Sequence, residues 1–239
     1  MSFQLIQTPE EAQQVVKDIA GWRPTSGGNK DPERHYYRNA LAMALKGFVP
    51  TRSRSVVVAR YDEDRSWLSE LKVQQVHVYN KGNDGFGTKL PNKGREAHTY
   101  FKHIADNYDN LTDVVFFLQG WPLDRSAGVI DGVNNLSSFD FVEFGIDILE
   151  TGEVQEPMIS FWEVIFNGPC PRKPWVFRAN SQFGVSRERI QQRPRRFYHD
   201  CLAACEAGLP SVKAESMPYL FEQVWNYVFA PRSLCNNAD

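Results

Sequence analysis

The sequence has no apolar run approaching the ~20 residues that span a bilayer, and its opening stretch MSFQLIQTPEEAQQ has no basic segment followed by an apolar one. Neither a membrane span nor a secretory leader is expected, and the chain reads as cytoplasmic. Cysteine is scarce: four residues, at 170, 201, 205 and 235. That scatter is neither a disulfide framework nor a paired CxxC metal pattern. An excess of one charge is missing as well. A net charge of −2 steers the chain toward neither nucleic acid nor an acidic membrane, so no nucleic acid partner is expected. The five histidines (35, 77, 98, 103 and 199) fall at no metal-ligand spacing, and no Ser-His-Asp arrangement is legible.

What remains is a globular chain: 239 residues, 42% hydrophobic and 23% charged, enough for one large core. Two helices are expected first, over 8–20 behind a TPEE capping box and over 32–45. The continuously apolar VVVA (56–59) has the pattern of a strand buried on both faces. VQQVHVYN (73–80) reads as a second strand, and SWLSEL between them as a short helix, which gives a βαβ unit. A glycine-rich loop leads into a helix over 95–108, whose apolar positions follow the 3.6 period. VVFFLQ (114–119) is the third buried strand. Residues 121–157 carry eight acidic residues against one basic and read as loop with a short helix. WVFRANSQFGVS (175–186) reads as a strand or strand pair, with helices following near 187–191, 195–206 and 218–229. The expected fold is α/β and Rossmann-like: a mostly parallel central sheet flanked by helices, with an N-terminal helical extension.

Open α/β sheets bind ligands beyond the carboxyl ends of their strands. Three polar segments fall there: ARYDED after the first strand, NKG after the second and QGWPLD after the third. Arg60 and Tyr61 suit a base or phosphate, and Glu63 a ribose or base edge; a solvated turn is the competing reading. Asn80 and Lys81 belong to NKG. Gln119 suits a hydroxyl-rich ligand, and Asp124 a metal or sugar hydroxyl, against a plain turn. Gly82 and Gly87 have P-loop-like spacing, but TK replaces the required GK[ST] and Pro91 intervenes, while GFGTKL lacks the third glycine of GxGxxG. What survives in that loop is Arg95 at a helix N-terminus, a seat for an anion. The five arginines of RERIQQRPRR (187–196) read as a solvated helix face. Glu222, among Tyr219, Trp225 and Asn226, is either a general base with a desolvated carboxyl or an exposed glutamate. Cys201 and Cys205 share a helix face and read as core.

The segments VVVARYDEDRSWLSEL, VYNKG, LPNKGREAHTYFKHIADNYDNL, VVFFLQGWPLD, SQFGVSRERI and YLFEQVW together resemble the successive blocks of an uncharacterised domain family of fungi and bacteria. The GREAHTY and FFLQG blocks are the most specific. Their order is similar to that of small glycosyltransferases of the GT-A fold. That resemblance implies one domain over 1–239, with a helical extension (1–54), a nucleotide-binding-like half (55–120) and an acceptor-side half (121–239). It implies transfer of a sugar from a nucleotide sugar to a small-molecule or peptide acceptor. Arg60, Tyr61, Glu63, Asn80, Lys81, Arg95 and Gln119 would bind the donor, Gln182 and Trp121 the acceptor, and Glu222 and Asp124 would do the chemistry. A divalent metal, Mn or Mg, would follow from the same resemblance, but the metal position reads Gln119-Gly120-Trp121 instead of DxD. The alternatives are a non-catalytic module recognising a glycan or peptide, and a different acid–base enzyme on a related sheet.

Overall fold

The computed structural model describes residues 52–229 except 125, 127, 137, 138 and 146. The two expected N-terminal helices and Cys235 lie outside the described residues. Strand β1 (Arg54–Arg60) takes the centre because RSVVVAR is buried along nearly its whole length. A 3-10 helix (Ser66–Glu70) carries the chain to β2 (Gln75–Asn80), which runs parallel to β1. The short β3 (Thr88–Lys89) pairs with the end of β2. Helix α1 (Arg95–Asn107) then crosses to β4 (Val114–Gln119), parallel to β1 on its other side.

The six-stranded sheet has the order β3-β2-β1-β4-β8-β5. Strand β8 (Phe183–Ser186) is antiparallel to β4, and β5 (Phe141–Glu143) is antiparallel to β8, so β5 points the same way as β4. A separate two-stranded sheet joins β6 (Ile148–Glu150) and β7 (Val176–Arg178). The remaining α-helices among the described residues are α2 (Val129–Asn135), α3 (Met158–Phe166), α4 (Arg187–Ile190), α5 (Arg195–Ala207), α6 (Met217–Glu222) and α7 (Trp225–Val228). This is a Rossmann-like α/β fold with a mostly parallel sheet. No helix among the described residues is long and apolar enough to cross a membrane.

Alternation along each strand sends side chains to two cores. Val57, Val115, Phe117, Phe183 and Val185 face α1, α3, α5, α6 and α7. Val56, Val58, Val114, Phe116 and Leu118 face Trp67 and the apolar side of α2. The crossover helices thus cover opposite faces, as parallel strands require. The second core packs closely on Gly184: a Cβ there would sit 2.8 Å from both Phe116 and Phe139.

The expected strands and crossover helix are present, helix α3 was not expected, and two further regions differ. Residues 121–157 hold β5 and β6 as well as helix α2, because three-residue strands are too short to show a period. The pair within 175–186 is split between two sheets. The arginine run is no free basic face. Arg187 meets Asp113 at 2.7 Å, and Arg195 donates to the Ala105 carbonyl at 2.7 Å. Arg193 is buried, donates to the Val228 carbonyl and lies against the Phe166 and Phe197 rings.

Candidate functional site

Strand order reverses between β1 and β4: the chain moves outward to β2 and β3, then returns to the other side of β1. Open α/β sheets take their ligands at such a switch point, beyond the carboxyl ends of the strands. Register puts Arg60 beside Asn80 and Ala59 beside Gln119. Tyr61, Asn80 and Gln119 therefore share one end of the sheet.

At the β1 lip, ARYDED and NKG fold into one knot. The Arg60 guanidinium is buried, donates from Nε to the Glu63 carbonyl at 2.7 Å and pairs with Asp84 at 2.6 Å. The Asn80 amide donates to Asp62 (2.9 Å) and Asp84 (2.6 Å), and its oxygen accepts from the N–H groups of Asp62 and Gly82. Asp62 takes the N–H groups of Asn83 and Asp84, which with Asn80 hold its carboxyl below the usual range. Gly82 is required here, because a Cβ would fall within 2.2 Å of that carboxylate. The Glu63 carboxylate accepts the Tyr61 N–H at 2.5 Å, and Tyr61 is 53% exposed.

Lys81 is held by backbone carbonyls. Its ammonium donates to the carbonyls of Lys93 and Arg95, tying the loop to the start of α1. Burial lowers its pKa to about 8 against the pull of Glu96.

At the β4 lip, the Gln119 amide donates to Glu96 of α1 at 3.0 Å. Glu96 also lies 3.5 Å from the guanidinium of Arg95. Arg95 donates to the Tyr219 hydroxyl at 2.9 Å and spreads over that ring. One Glu222 oxygen accepts the N–H of Asn180 at 2.5 Å. Asn180 and Ser181 hold φ of 85° and 46°, in the left-handed region. Two contacts help hold this strained turn: Tyr100 donates to the Ser181 carbonyl and Trp225 to its hydroxyl, both at 3.0 Å. The side-chain amide nitrogen of Asn180 is buried without a hydrogen-bond partner among the described residues.

The remaining expected site residues belong to the opposite face. Gln182 is buried and donates to the Ser126 hydroxyl at 2.8 Å. Trp121 packs against the second core and donates from its indole to Asp124 at 2.8 Å. Gln119, Arg95 and Glu222 thus gather over the α1 face, while Gln182, Trp121 and Asp124 lie over the α2 face.

The sequence reading gave Glu143 no role beyond its share of the acidic stretch. It ends β5 opposite Phe183, and alternation turns it to the α1 face, the face of Gln119. The residue keeps part of its surface open, yet protein surrounds its carboxyl deeply enough that burial raises its pKa to about 7 against the opposing field of Arg178. Only the register of β5 reveals it.

The carboxylates among the described residues do not compose a metal site. Asp62 accepts from Asn80 and from the loop after β2, Asp64 points into its own turn and accepts from both the N–H and the hydroxyl of Ser66, and Asp124 accepts from Trp121. Among the described residues no three His, Cys, Asp or Glu side chains are grouped to hold a metal ion.

No curated protein and no solved structure matches the chain. Residues 56–140, from β1 to the turn before β5, match the family described as "Protein of unknown function (DUF3431)".

Proposed function

We propose that this protein is a glycosyltransferase-like enzyme. It binds a nucleotide-sugar donor in the crevice between β1 and β4 and passes the sugar to a hydroxyl of a small-molecule or peptide acceptor. The observation that carries the reading is the position of the strand-order reversal, with Tyr61 on one lip and Gln119, Glu96 and Arg95 on the other. The exposed Tyr61 ring offers a stacking face for a base. The Gln119–Glu96 pair is suited to sugar hydroxyls. Arg95 gives the leaving diphosphate a cation, and the first-turn N–H groups of α1, which lack intrahelical acceptors, add to it. The similarity in block order to GT-A enzymes supports the same assignment of halves: donor on the β1 side, acceptor on the far side. Arg60, Asn80 and Lys81 support the donor pocket from beneath, since they hold the loops that shape it.

A second reading has its own support. With Arg60, Asn80 and Lys81 committed to the chain, the crevice also suits acid–base chemistry on a small polar substrate that carries no nucleotide. Thermal melts with UDP, GDP, TDP, CMP and their sugar conjugates, with and without manganese, separate the two. A ligand at about 100 times its Kd stabilises a fold by about 2.7 kcal/mol, a clear shift in Tm. A shift with nucleotide sugars is expected; no shift with any of them at millimolar concentration overturns the transferase reading.

A further inference from the structure

We propose, resting on the transferase reading of this site, that the Glu63 side chain is an anionic gate. Its carboxylate stands between the ends of β1 and β4 in the place of a phosphate oxygen, and it swings off Gly120 when a diphosphate binds.

The carboxylate bridges the two strand ends. One oxygen accepts the Tyr61 N–H at 2.5 Å, one residue past β1. A Cβ on Gly120, the first residue after β4, would fall 2.2 Å from that same oxygen and 2.6 Å from the carboxyl carbon. It would also fall 3.1 Å from the Arg60 Cα. The glycine leaves a space where the strand order reverses, and Glu63 fills it.

The backbone around the carboxylate is tied down. Arg60 donates from Nε to the Glu63 carbonyl at 2.7 Å, and the buried Trp67 indole donates to the Gly120 carbonyl at 3.0 Å. Asp62, between Tyr61 and Glu63, holds φ of 61°, with its carboxylate bound to the Asn80 amide and to the N–H groups of Asn83 and Asp84. Among the described residues the half-buried Glu63 carboxylate has one hydrogen bond, the one to Tyr61. Rotation about the Glu63 side-chain bonds is therefore the motion left to this lip.

The swing has two consequences, and both favour an anion. It strips the Tyr61 N–H of its acceptor, and an unpaired backbone donor is costly. The open position therefore lasts when a ligand oxygen takes over that bond. The swing also withdraws a negative charge from Arg60, whose buried guanidinium feels Glu63 together with Asp84 and Asp62. The positive field so released acts on the incoming group. With Glu63 in place, its charge opposes a phosphate.

Calorimetric titrations at fixed ionic strength test the gate on the full chain. Glu63→Gln keeps the shape and removes the charge, and Glu63→Ala empties the space. The probes are UDP, GDP and TDP beside the uncharged uridine, guanosine and thymidine. Both variants should bind the diphosphates about tenfold more tightly or better, as expected on removing one like-charge contact. Glu63→Gln should bind the nucleosides as the parent does. In NMR spectra of the parent, the Tyr61 amide should shift as a bound diphosphate replaces its acceptor. Unchanged diphosphate affinity in both variants, or a Tyr61 amide that stays still while the parent binds, overturns the gate and leaves the transferase reading standing. Weaker binding in both variants makes Glu63 a ligand contact and also overturns the gate. A parent and variants that bind no nucleotide overturn the transferase reading and the gate with it.

Discussion

The guanidinium of Arg60 meets the carboxylate of Asp84 at 2.6 Å and fastens the loop after β2 to the end of β1. Arg60 is buried and Asp84 sits at the rim, where the Asn80 amide and the Phe86 N–H also donate to it. Arg60 holds the Asp84 carboxyl far below the ordinary carboxylate range, and the N–H of Asn83 and the amide of Asn80 lower Asp62 beside it. One knot of charge and amides therefore fixes the β1 lip.

Acid should loosen this knot. For a carboxyl whose folded pKa is depressed, the stabilisation is complete above the unfolded value, near 4, and is lost as pH falls through the lower folded value. Asp84→Asn is expected to lower the urea midpoint at neutral pH and to flatten its fall between about pH 4 and pH 2. If the variant lost as much of its midpoint as the parent over that range, the Arg60–Asp84 pair would have no share in acid stability.

His103 works in the opposite sense of charge. It lies buried between β2 and α1, 3.0 Å from the Tyr79 hydroxyl and against the His77 ring, and burial depresses its pKa to about 3. The unfolded chain binds this proton near pH 6.5 and the folded chain does not, so stability is complete above that pH and falls as pH drops toward 3. The slope is at most about 1.4 kcal/mol per pH unit for one proton. His103→Gln should remove that slope between pH 6.5 and about pH 4. An NMR titration should find the His103 imidazole still neutral at about pH 5, and a protonated ring there would contradict its enclosure.

Strands β1 and β4 and helix α1 were legible because each is long and strongly patterned: VVVA and VVFFLQ are apolar without interruption, and Ala97, Tyr100, Phe101, Ile104 and Ala105 recur at helical spacing. Parallel strands joined by helices then bring ARYDED, NKG and QGWPLD to one end of a sheet. Which face each side chain takes was not legible. Gln119 ends β4 and Gln182 immediately precedes the antiparallel β8, and they point to opposite faces, a parity that only the β4–β8 register fixes. Helix α3 escaped notice because MISFWEVIF is apolar nearly all round and shows no stripe. Glu143 was hidden by the shortness of β5, since a three-residue strand leaves no periodic signal around its last carboxylate.

Gly120 follows β4 at the crevice, where a Cβ would stand 2.2 Å from a Glu63 oxygen and 3.1 Å from the Arg60 backbone. Glu63 is a flexible side chain and can swing away, but doing so releases the Tyr61 N–H it holds. Gly120→Ala should therefore cost about 1–3 kcal/mol of stability, in the range of overpacking, and weaken nucleotide binding more than its stability loss explains. Calorimetric titration beside a urea melt reads both. A variant that binds as the parent does would place the ligand away from this lip.

Tyr61 separates binding from folding most cleanly. The residue is 53% exposed, and its backbone N–H, not its side chain, holds Glu63. Tyr61→Ala should leave Tm nearly unchanged, because little apolar area leaves the core. Aromatic stacking on a base contributes about 1–3 kcal/mol, so nucleotide Kd should rise about tenfold or more, while Tyr61→Phe, which keeps the ring, should bind as the parent. A phenylalanine variant as weak as the alanine one would assign the contact to the hydroxyl instead of the ring face. An alanine variant that kept full affinity would remove Tyr61 from the donor site.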